Sequence, residues 1–474
     1  MRIHQWLLLS LLALSASGDA IADLKVERVR WGFGGKPMCE AFNLLTVEMR
    51  NDGDEPFVGV LSLEQGYGMR RIGAPEVQPC SIAPYGSRVV QFAPYLDRSS
   101  SDWRLTWRGG KHRLEDVRWE GNERKAVVEF SEPQKIAEAG GTSGEFPRFP
   151  EAEFPGNPSV TEALAAVVLD HTPAWEAARA QSFLTWLKRG GRLHVFRRAD
   201  GTWPKFRGAL EVLNDSELTA IEMGMVQRHD KRLIDLSKNE AASLKVAPEI
   251  HGGRSQGRYH AFRLMGLITR SDVNWGIVYL VAFAYVVLLG PGLYLFCRRK
   301  RDYRIAVVSL LGLVLLFSWL FARIGRRGFG ESDRIYSASV AKPVSPGVYD
   351  VQQWSHVFVT EGNDYQFQYP SQHQLFRAEG PESVPGAIKN GVDGGLDMDL
   401  PLYSSRNLLS RQLMNGPVIE VSVNGSDKSS GLSIKIDGLG NIEGVLSRRG
   451  DRYYEMSAVA DAWEFFGNGV DENW

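Results

Sequence analysis

The sequence predicts a multidomain protein in which a β-sandwich and an α/β domain precede two transmembrane helices, and a β-rich region follows them. The chain has 474 residues, well beyond the roughly 250–300 that one hydrophobic core serves, so several domains are expected. Alternating apolar and polar residues predict strands near both ends, with a βαβ pattern between them. Two charge-free apolar runs are long enough to cross a bilayer.

The composition excludes several classes of protein. Lys and Arg number 55 against 56 Asp and Glu, so no excess of positive charge indicates nucleic-acid binding. Charged residues at 23% and hydrophobic residues at 43% are typical of a globular chain rather than a disordered one. Three cysteines are too few for a disulfide-rich scaffold or a four-cysteine zinc site. We therefore predict no cofactor, no metal and no nucleic-acid partner.

Residues 1–22 are typical of a secretory signal peptide. Arg2 precedes a short apolar run, and Ala20-Ile21-Ala22 supplies an A-x-A exit. The alternative is an N-terminal anchor that stays uncleaved, although the apolar run is short for a span.

Residues 275–296 and 305–322 are the predicted transmembrane helices, and Gly290-Pro291 predicts a kink in the first. The turn at 297–304 carries five basic residues among its eight, and positive loops stay in the cytoplasm. The signal peptide independently places the preceding region outside. Both large regions are therefore expected outside the cytoplasm. The alternative reading is a pair of buried core helices in a soluble protein.

Residues 23–130 are predicted to form the β-sandwich. Leu45, Val47 and Met49 alternate with polar residues, as expected for a strand with one buried face. Cys39 and Cys80 fall in this exported region and are candidates for a disulfide, although two separate buried thiols are the alternative. Residues 131–159 are rich in proline and glycine and are predicted to be a linker.

Residues 160–270 are predicted to form the α/β domain. The apolar run at 165–169 suits a strand covered on both faces, Gly190-Gly191 ends the helix that follows, and 193–196 is the next strand. Such a unit is expected to be parallel and right-handed, and 125–130 is a candidate earlier strand of the same sheet.

Asp170 and His171 follow the carboxyl end of the first strand of this unit. Ligands of α/β proteins usually bind at that edge, so these two residues are candidate ligand-binding residues. A solvated turn before the helix is the alternative. Residues 330–474 return to alternating patterns, as in Tyr365, Phe367 and Tyr369, and predict a β-rich domain.

The pattern across the α/β region resembles a glutamine-amidotransferase-like domain of flavodoxin type. The residues that carry this resemblance are Val167-Val168-Leu169-Asp170, Gln181, Trp186-Leu187 and Gly190-Gly191-Arg192-Leu193. With the sandwich before it and the Gly290-Pro291 hairpin after it, the layout is similar to a family of uncharacterised bacterial membrane proteins. The resemblance implies a bacterial inner-membrane location, envelope protein partners and operation beside a cytoplasmic ATPase system.

This sequence lacks a residue that the catalytic mechanism of glutamine amidotransferases requires. Class I amidotransferases use a cysteine nucleophile, and no cysteine occurs between Cys80 and Cys297. We therefore predict no catalytic residue. The expected function is a non-catalytic envelope scaffold or sensor that binds a protein or a small ligand. The alternative is a membrane-anchored hydrolase or transferase acting at the α/β domain.

Overall fold

The fold is taken from a computed structural model of the chain. It describes residues 23–67, 70–97, 102–114, 125–131, 145–245, 262–266, 275–299, 303–328, 333–369, 371–380, 383–391, 393–424, 431–436, 445–449, 452–459, 462–465 and 470–471. The predicted signal peptide at 1–22 lies outside these residues, as do residues 300–302 of the predicted turn at 297–304.

The N-terminal region is built from antiparallel strands. They are Leu24–Trp31 (β1), Ala41–Phe42 (β2), Leu45–Asn51 (β3), Phe57–Tyr67 (β4), Arg70–Ile82 (β5), Ser87–Phe92 (β6), Tyr95–Leu96 (β7), Asp102–Trp107 (β8) and Gly110–Arg113 (β9). One sheet has the order β1-β3-β6, and β5-β4-β8-β9 belongs to another. Leu45, Val47 and Met49 of β3 are fully buried and share a core with Leu61 and Leu63 of β4. The alternation in the sequence therefore marks a face packed between two sheets.

A mainly parallel sheet follows. Its strands are Ala126–Ser131 (β10), Arg148–Pro150 (β11), Leu164–Leu169 (β12), Arg192–Arg197 (β13), Ala220–Ile221 (β14) and Gly224–Arg232 (β15). Their order is β11-β10-β12-β13-β15-β14, and β14 is antiparallel to β15. The helices of this region are Ala177–Lys188 (α1) and Lys238–Leu244 (α2), with 3-10 turns at Glu151–Glu153, Pro158–Val160, Gly208–Asn214 and Leu233–Asp235.

The predicted βαβ unit is present as β12, α1 and β13, and the strand expected at 125–130 is confirmed as β10. Helix α1 ends where Gly190 adopts φ of +101°, a conformation that favours glycine. A Cβ atom on Gly191 would lie 2.6 Å from the ring of Trp186, so this residue must also stay small.

Residues 145–159 belong to the α/β core. The prediction that they form part of a linker was therefore wrong. They supply β11 and two of the 3-10 turns, and Phe149 and Phe154 are almost fully buried. Their rings pack with Phe33, which comes from the N-terminal region. The prolines and glycines of this segment form turns. Its burial depends on its aromatic side chains, and no periodic pattern of apolar residues in the sequence indicates it.

The apolar helices match the predicted spans. They are Trp275–Val287 (α3), a π-helical turn at Leu288–Gly292, Leu293–Arg299 (α4) and Tyr303–Gly328 (α5). Among the described residues, Trp275–Phe296 and Tyr303–Ile324 are long and apolar enough to cross a membrane. Pro291 lies in the π turn. Proline has no backbone N–H to donate, and helices often accommodate it with such a local change in hydrogen bonding.

The region after the apolar helices is rich in β-strands, as predicted. Its strands are Arg334–Ser345 (β16), Val348–Val359 (β17), Asn363–Phe367 (β18), Gln372–Glu379 (β19), Gly386–Lys389 (β20), Gly395–Leu400 (β21), Ser404–Asn415 (β22), Ile419–Asn424 (β23), Gly431–Ile436 (β24), Val445–Arg449 (β25), Arg452–Val459 (β26), Ala462–Phe465 (β27) and Val470–Asp471 (β28). Strands β16-β17-β22-β19 form one sheet, and β23-β24-β27-β26-β25 form another.

The segments before and after the apolar helices pack into one body. Strand β20 pairs with β5, which gives a sheet of order β18-β21-β20-β5-β4-β8-β9. The largest core holds Phe42 and Val167 from before the helices and Leu375 and Leu409 from after them. A single packed core cannot lie on both sides of a bilayer. If both helices cross a membrane, they must do so as a hairpin, and the contact of Tyr285 with Phe317 at 5.0 Å between ring centroids fits that arrangement.

The hairpin arrangement predicts that both segments are reached from the same membrane face. Val58 and Leu402 are 78% and 61% exposed, one in each segment. In a Cys39→Ser, Cys297→Ser background, Val58→Cys and Leu402→Cys should both react with a membrane-impermeant maleimide from the same side of sealed vesicles. Labelling from opposite sides would contradict the shared core.

Candidate functional site

Asp170 and His171 lie together at the carboxyl edge of the parallel sheet. Strand β12 ends at Leu169, one residue before them. His171 is 4% exposed, whereas Asp170 is half-buried. Because β10 and β13 flank β12 in parallel, this position is the edge at which α/β proteins usually bind ligands.

The structure adds Glu151, which the sequence did not single out. Its carboxylate Oε2 lies 2.8 Å from His171 Nε2, and Asp170 Oδ1 lies 2.9 Å from His171 Nδ1. The backbone carbonyl of Glu151 accepts a hydrogen bond from Trp175 Nε1 at 2.8 Å, which holds the turn against the start of α1. Glu151 comes from the segment predicted to be a linker, so no local pattern marked it as a partner of His171.

His171 is held as a cation. Burial lowers the pKa of the imidazole, but the hydrogen bonds and charges of Asp170 and Glu151 outweigh burial and raise it to about 9. Both ring nitrogens then donate to carboxylates at neutral pH. A general base needs an unprotonated nitrogen facing its substrate, and His171 offers none. In this arrangement His171 joins the turn at Asp170 to the segment that carries Glu151.

The described residues contain no group of three or more His, Cys, Asp or Glu side chains that could hold a metal ion.

A second charged group lies near the amino ends of the same strands. We call Glu162, Arg189, Asp350 and Arg411 the ionic cluster. Arg411 Nε and Nη2 donate to Asp350 Oδ1 and Oδ2 at 3.0 and 2.7 Å, and Arg189 Nη2 donates to Asp350 Oδ2 at 2.5 Å. Arg411 Nη1 also donates to Glu162. Glu162 and Arg189 precede the hairpin and the other two follow it, so the cluster joins the two segments.

Asp350 and Arg411 stabilise each other's charged forms. Burial raises the pKa of Asp350, but Arg189 and Arg411 outweigh burial and lower it to about 2. Burial likewise disfavours the charged form of Arg411, yet Asp350 and Glu162 hold its pKa above the usual value. The side chains of Asp350 and Arg411 are only 3% and 4% exposed. Removing one partner would therefore leave a buried charge without compensation.

A cleft of about 660 Å³ opens beside the ionic cluster. It lies between the amino edge of the parallel sheet and strands β16, β17 and β22. Besides the cluster, its charged lining residues are Lys125, Arg192 and Lys342. The described lining thus has five basic and two acidic side chains.

The predicted bridge between Cys39 and Cys80 is not formed in this structure, in which both residues are thiols. Cys80 is buried in β5 within the core between the two N-terminal sheets. Cys39 is half-buried in a loop, and its neighbours Met38 and Ala41 belong to the other, larger core. The two side chains therefore serve different packing units.

Comparison with known proteins adds no relative that bears on function. The chain matches no family profile and no curated protein at a significant level. Among solved structures, it is similar to a cycloisomaltooligosaccharide glucanotransferase of Paenibacillus sp. with bound cycloisomaltoheptaose, at 8% identity and a TM-score of 0.17, over 94% of this chain and 98% of the other. A carbohydrate acetylesterase of Xanthomonas citri gives 8% identity and a TM-score of 0.19, over 81% and 98%. Likeness at these scores carries no inference about fold or activity.

Replacing Asp350 by Asn should strongly destabilise the protein. The substitution leaves Arg189 and Arg411 facing a neutral amide in a buried site, which costs about 3–5 kcal/mol in comparable cases. Chemical denaturation of the detergent-solubilised protein would measure the change. Asp230→Asn is the control, because Asp230 pairs with Arg197 at the surface and should change stability little. Equal, small effects of the two variants would contradict the role given to the cluster.

Replacing Glu151 by Gln should lower the pKa of His171 from about 9, because one of its two stabilising carboxylates is lost. NMR titration of the histidine resonances would measure the pKa of His171 in the variant and in the native protein. Since the folded pKa exceeds the usual 6.5, the stabilisation by His171 is complete below about 6.5 and is lost as pH rises through about 9. Glu176→Gln, a change at an exposed residue on the same domain, should leave that titration unchanged. An unshifted midpoint in the Glu151 variant would refute the assignment.

Proposed function

We propose that the chain is a non-catalytic scaffold or sensor, anchored in the inner membrane of a bacterial envelope by a helical hairpin. Its large regions before and after the hairpin form one binding body outside the cytoplasm. That body binds a protein or a small ligand. A cytoplasmic ATPase system is a further proposed partner, which rests on the family resemblance described above.

The observation that carries this proposal is the shared core. Leu375 and Leu409, from after the hairpin, are fully buried in a core whose other members come mainly from the α/β region. A ligand that changes how the two segments pack against each other would therefore move the chain at both ends of the hairpin. Two membrane anchors on one folded body suit a protein that presents a fixed binding surface or reports its occupancy.

The placement outside the cytoplasm rests on charge. Arg298, Arg299, Lys300 and Arg301 lie between the two spans, and Arg304 lies at the start of the second. Such basic turns remain cytoplasmic. The hairpin then puts the turn on one side of the membrane and the body on the other. The N-terminal sequence, which is typical of an export signal, supports the same orientation.

The parallel sheet supports a degenerate amidotransferase-like domain. Counted along the chain, β10, β11, β12, β13 and β15 have the spatial order 2-1-3-4-5, which is the order of flavodoxin-type sheets. The absence of cysteine between Cys80 and Cys297 removes the nucleophile of that enzyme class. His171, with both nitrogens facing carboxylates, supports a binding domain rather than a catalytic one.

The cleft beside the ionic cluster is the binding surface that we propose. It is formed by both segments, and the described lining holds more basic than acidic side chains. Lys342 is exposed there, so a change of its charge alters the surface without disturbing the core. An acidic segment of an envelope protein or a small anionic ligand matches this lining by charge.

The proposal predicts that partner capture depends on the cleft and not on His171. We expect affinity capture of the intact protein from membranes to recover the same partners with His171→Gln as with the native protein. Lys342→Glu should reduce recovery, because it reverses a charge at the cleft. Lys111→Glu, an exposed change on the distant strand β9, is the matched control and should have no effect.

Loss of cellular function in a folded, membrane-inserted His171→Gln variant would favour a hydrolase or transferase at the α/β domain instead. Folding of that variant is checked by its thermal unfolding and membrane insertion. Unchanged capture with Lys342→Glu would remove the cleft from the proposal.

A further inference from the structure

The contact between β5 and β20 is a polar joint between the two segments of the body. Glu76 of β5 lies opposite Ile388 of β20. Gln78 Nε2 donates to the carbonyl of Asn390 at 3.1 Å, and Asn390 Nδ2 approaches the carbonyl of Ala93 at 3.4 Å. We call these five residues the joint. Its first half precedes the membrane hairpin and its second half follows it.

Glu76 is the ionisable residue of the joint, and its carboxyl group is incompletely paired. The residue is 5% exposed. Its Oε1 accepts a hydrogen bond from the Ala93 N–H at 2.8 Å, whereas its Oε2 is buried without a hydrogen-bond partner among the described residues. The neutral amides of Gln78 and Asn390 donate to backbone carbonyls, so an ionised carboxylate here is only weakly compensated. A protonated carboxyl group needs no neutralising charge.

The carboxyl group lines a small cavity in the joint. Apolar walls come from strands on both sides of the hairpin: Leu63, Ile72, Trp103, Phe376 and Ile388. The hydrocarbon surfaces of these side chains do not stabilise a negative charge. The cavity is therefore an environment in which the neutral form of Glu76 is favoured.

The charged groups on the surrounding strands are engaged elsewhere. Arg377 of β19 also lines the cavity, but its guanidinium donates to Asp97 at 2.6 Å, lies 3.4 Å from Glu379 and stacks over the Tyr95 ring. On β20, Lys389 lies 3.3 Å from Asp397. On β4, Glu64 lies 2.7 Å from Arg71. Strands β8 and β7 present Trp103 and Tyr95 to the cavity, which carry no charge at neutral pH.

Burial raises the pKa of Glu76 to about 7, and the Ala93 N–H and the side chains of Asn390 and Gln78 lower it only in part. No charged neighbour is among these causes, which agrees with the pairing of Arg377 described above. The proton therefore leaves Glu76 in the pH range that a bacterial envelope meets.

The geometry points to Glu76 as a proton-binding site that makes the joint between the two segments responsive to external pH. With the proton bound, the carboxyl group is compatible with its buried position and the joint is closed. When the proton leaves, the uncompensated charge favours separation of β20 from β5 and hydration of the cavity. This inference rests on the proposed sensor function and names the proton as one of its signals.

The direction of the effect follows from the two protonation states. The pKa of Glu76 in the closed joint, about 7, exceeds the usual value of 4.5. The stabilisation of the joint is therefore complete below about 4.5 and is lost as pH rises through about 7. Between these values the opening equilibrium should rise roughly tenfold per pH unit, and it should level off above about 7.5.

Hydrogen exchange of the full-length protein in nanodiscs tests this inference. After correction for intrinsic exchange, amides of β5 and β20 in the native protein should lose protection between pH 5 and pH 7, while those of β3 and β6 should not. Glu76→Gln, which mimics the neutral carboxyl group, should keep the joint protected throughout. Glu64→Gln, on the neighbouring strand β4, is the matched control and should behave like the native protein.

A native protein whose β5 and β20 protection does not change with pH would overturn the inference. So would a Glu76→Gln variant that keeps the native pH dependence. If Glu76→Gln proves unstable, Glu76→Leu offers a second neutral side chain with the same expected result. This readout is local and does not involve a partner, so its failure is distinct from a failure of the capture experiment that tests the proposed function.

Discussion

Asp350 is held between Arg189 and Arg411, and the rest of the body depends on this contact being made. Its three ionic groups come from α/β and β-rich segments that the hairpin separates in the chain. Buried ion pairs contribute little net stability compared with apolar contacts, but a buried charge without its partner is strongly unfavourable. The cluster therefore penalises any packing of the two segments except the one that brings all of its members together. Apolar contacts such as Leu409 against the α/β core then supply the favourable free energy.

This constraint has a consequence for the membrane helices. The segments before and after them must fold against each other, so the helices have to return the chain to the side from which it came. The π-helical turn around Pro291 lets the first helix continue through a residue that cannot donate a backbone hydrogen bond. A hairpin of the two apolar helices is thus the connection that the packed body requires.

The two edges of the parallel sheet have different roles. At the carboxyl edge, where enzymes of this architecture place their chemistry, Asp170 and Glu151 hold His171 as a buried cation. At the amino edge, the ionic cluster and the basic cleft face the segment after the hairpin. The binding surface that we propose therefore lies where the two segments meet. Glu76 lies at another meeting point of the same segments, in the joint of β5 with β20.

The sequence by itself determined the local elements. The first span was expected at 275–296, and the apolar part of the helix there has those bounds, because the absence of charge over about twenty residues is a property of one segment. Strands β3, β10, β12 and β13 likewise lie where alternation or apolar runs predicted them. Asp170 and His171 were correctly expected at the end of a strand. Their neighbour Glu151 was not, because residues 145–159 have no periodicity and are buried through their aromatic side chains.

Only the tertiary structure decided how these elements combine. Arg189 and Asp350 are 161 residues apart in the chain, and Glu162 and Arg411 are 249 apart. No periodic pattern relates residues at such separations. The same holds for Glu76 and Ile388, whose pairing turns an ordinary strand glutamate into a buried acid. Local sequence patterns report which face of a strand or helix is apolar, whereas burial, pairing and pKa depend on what packs against that face, and that is a property of the folded chain as a whole.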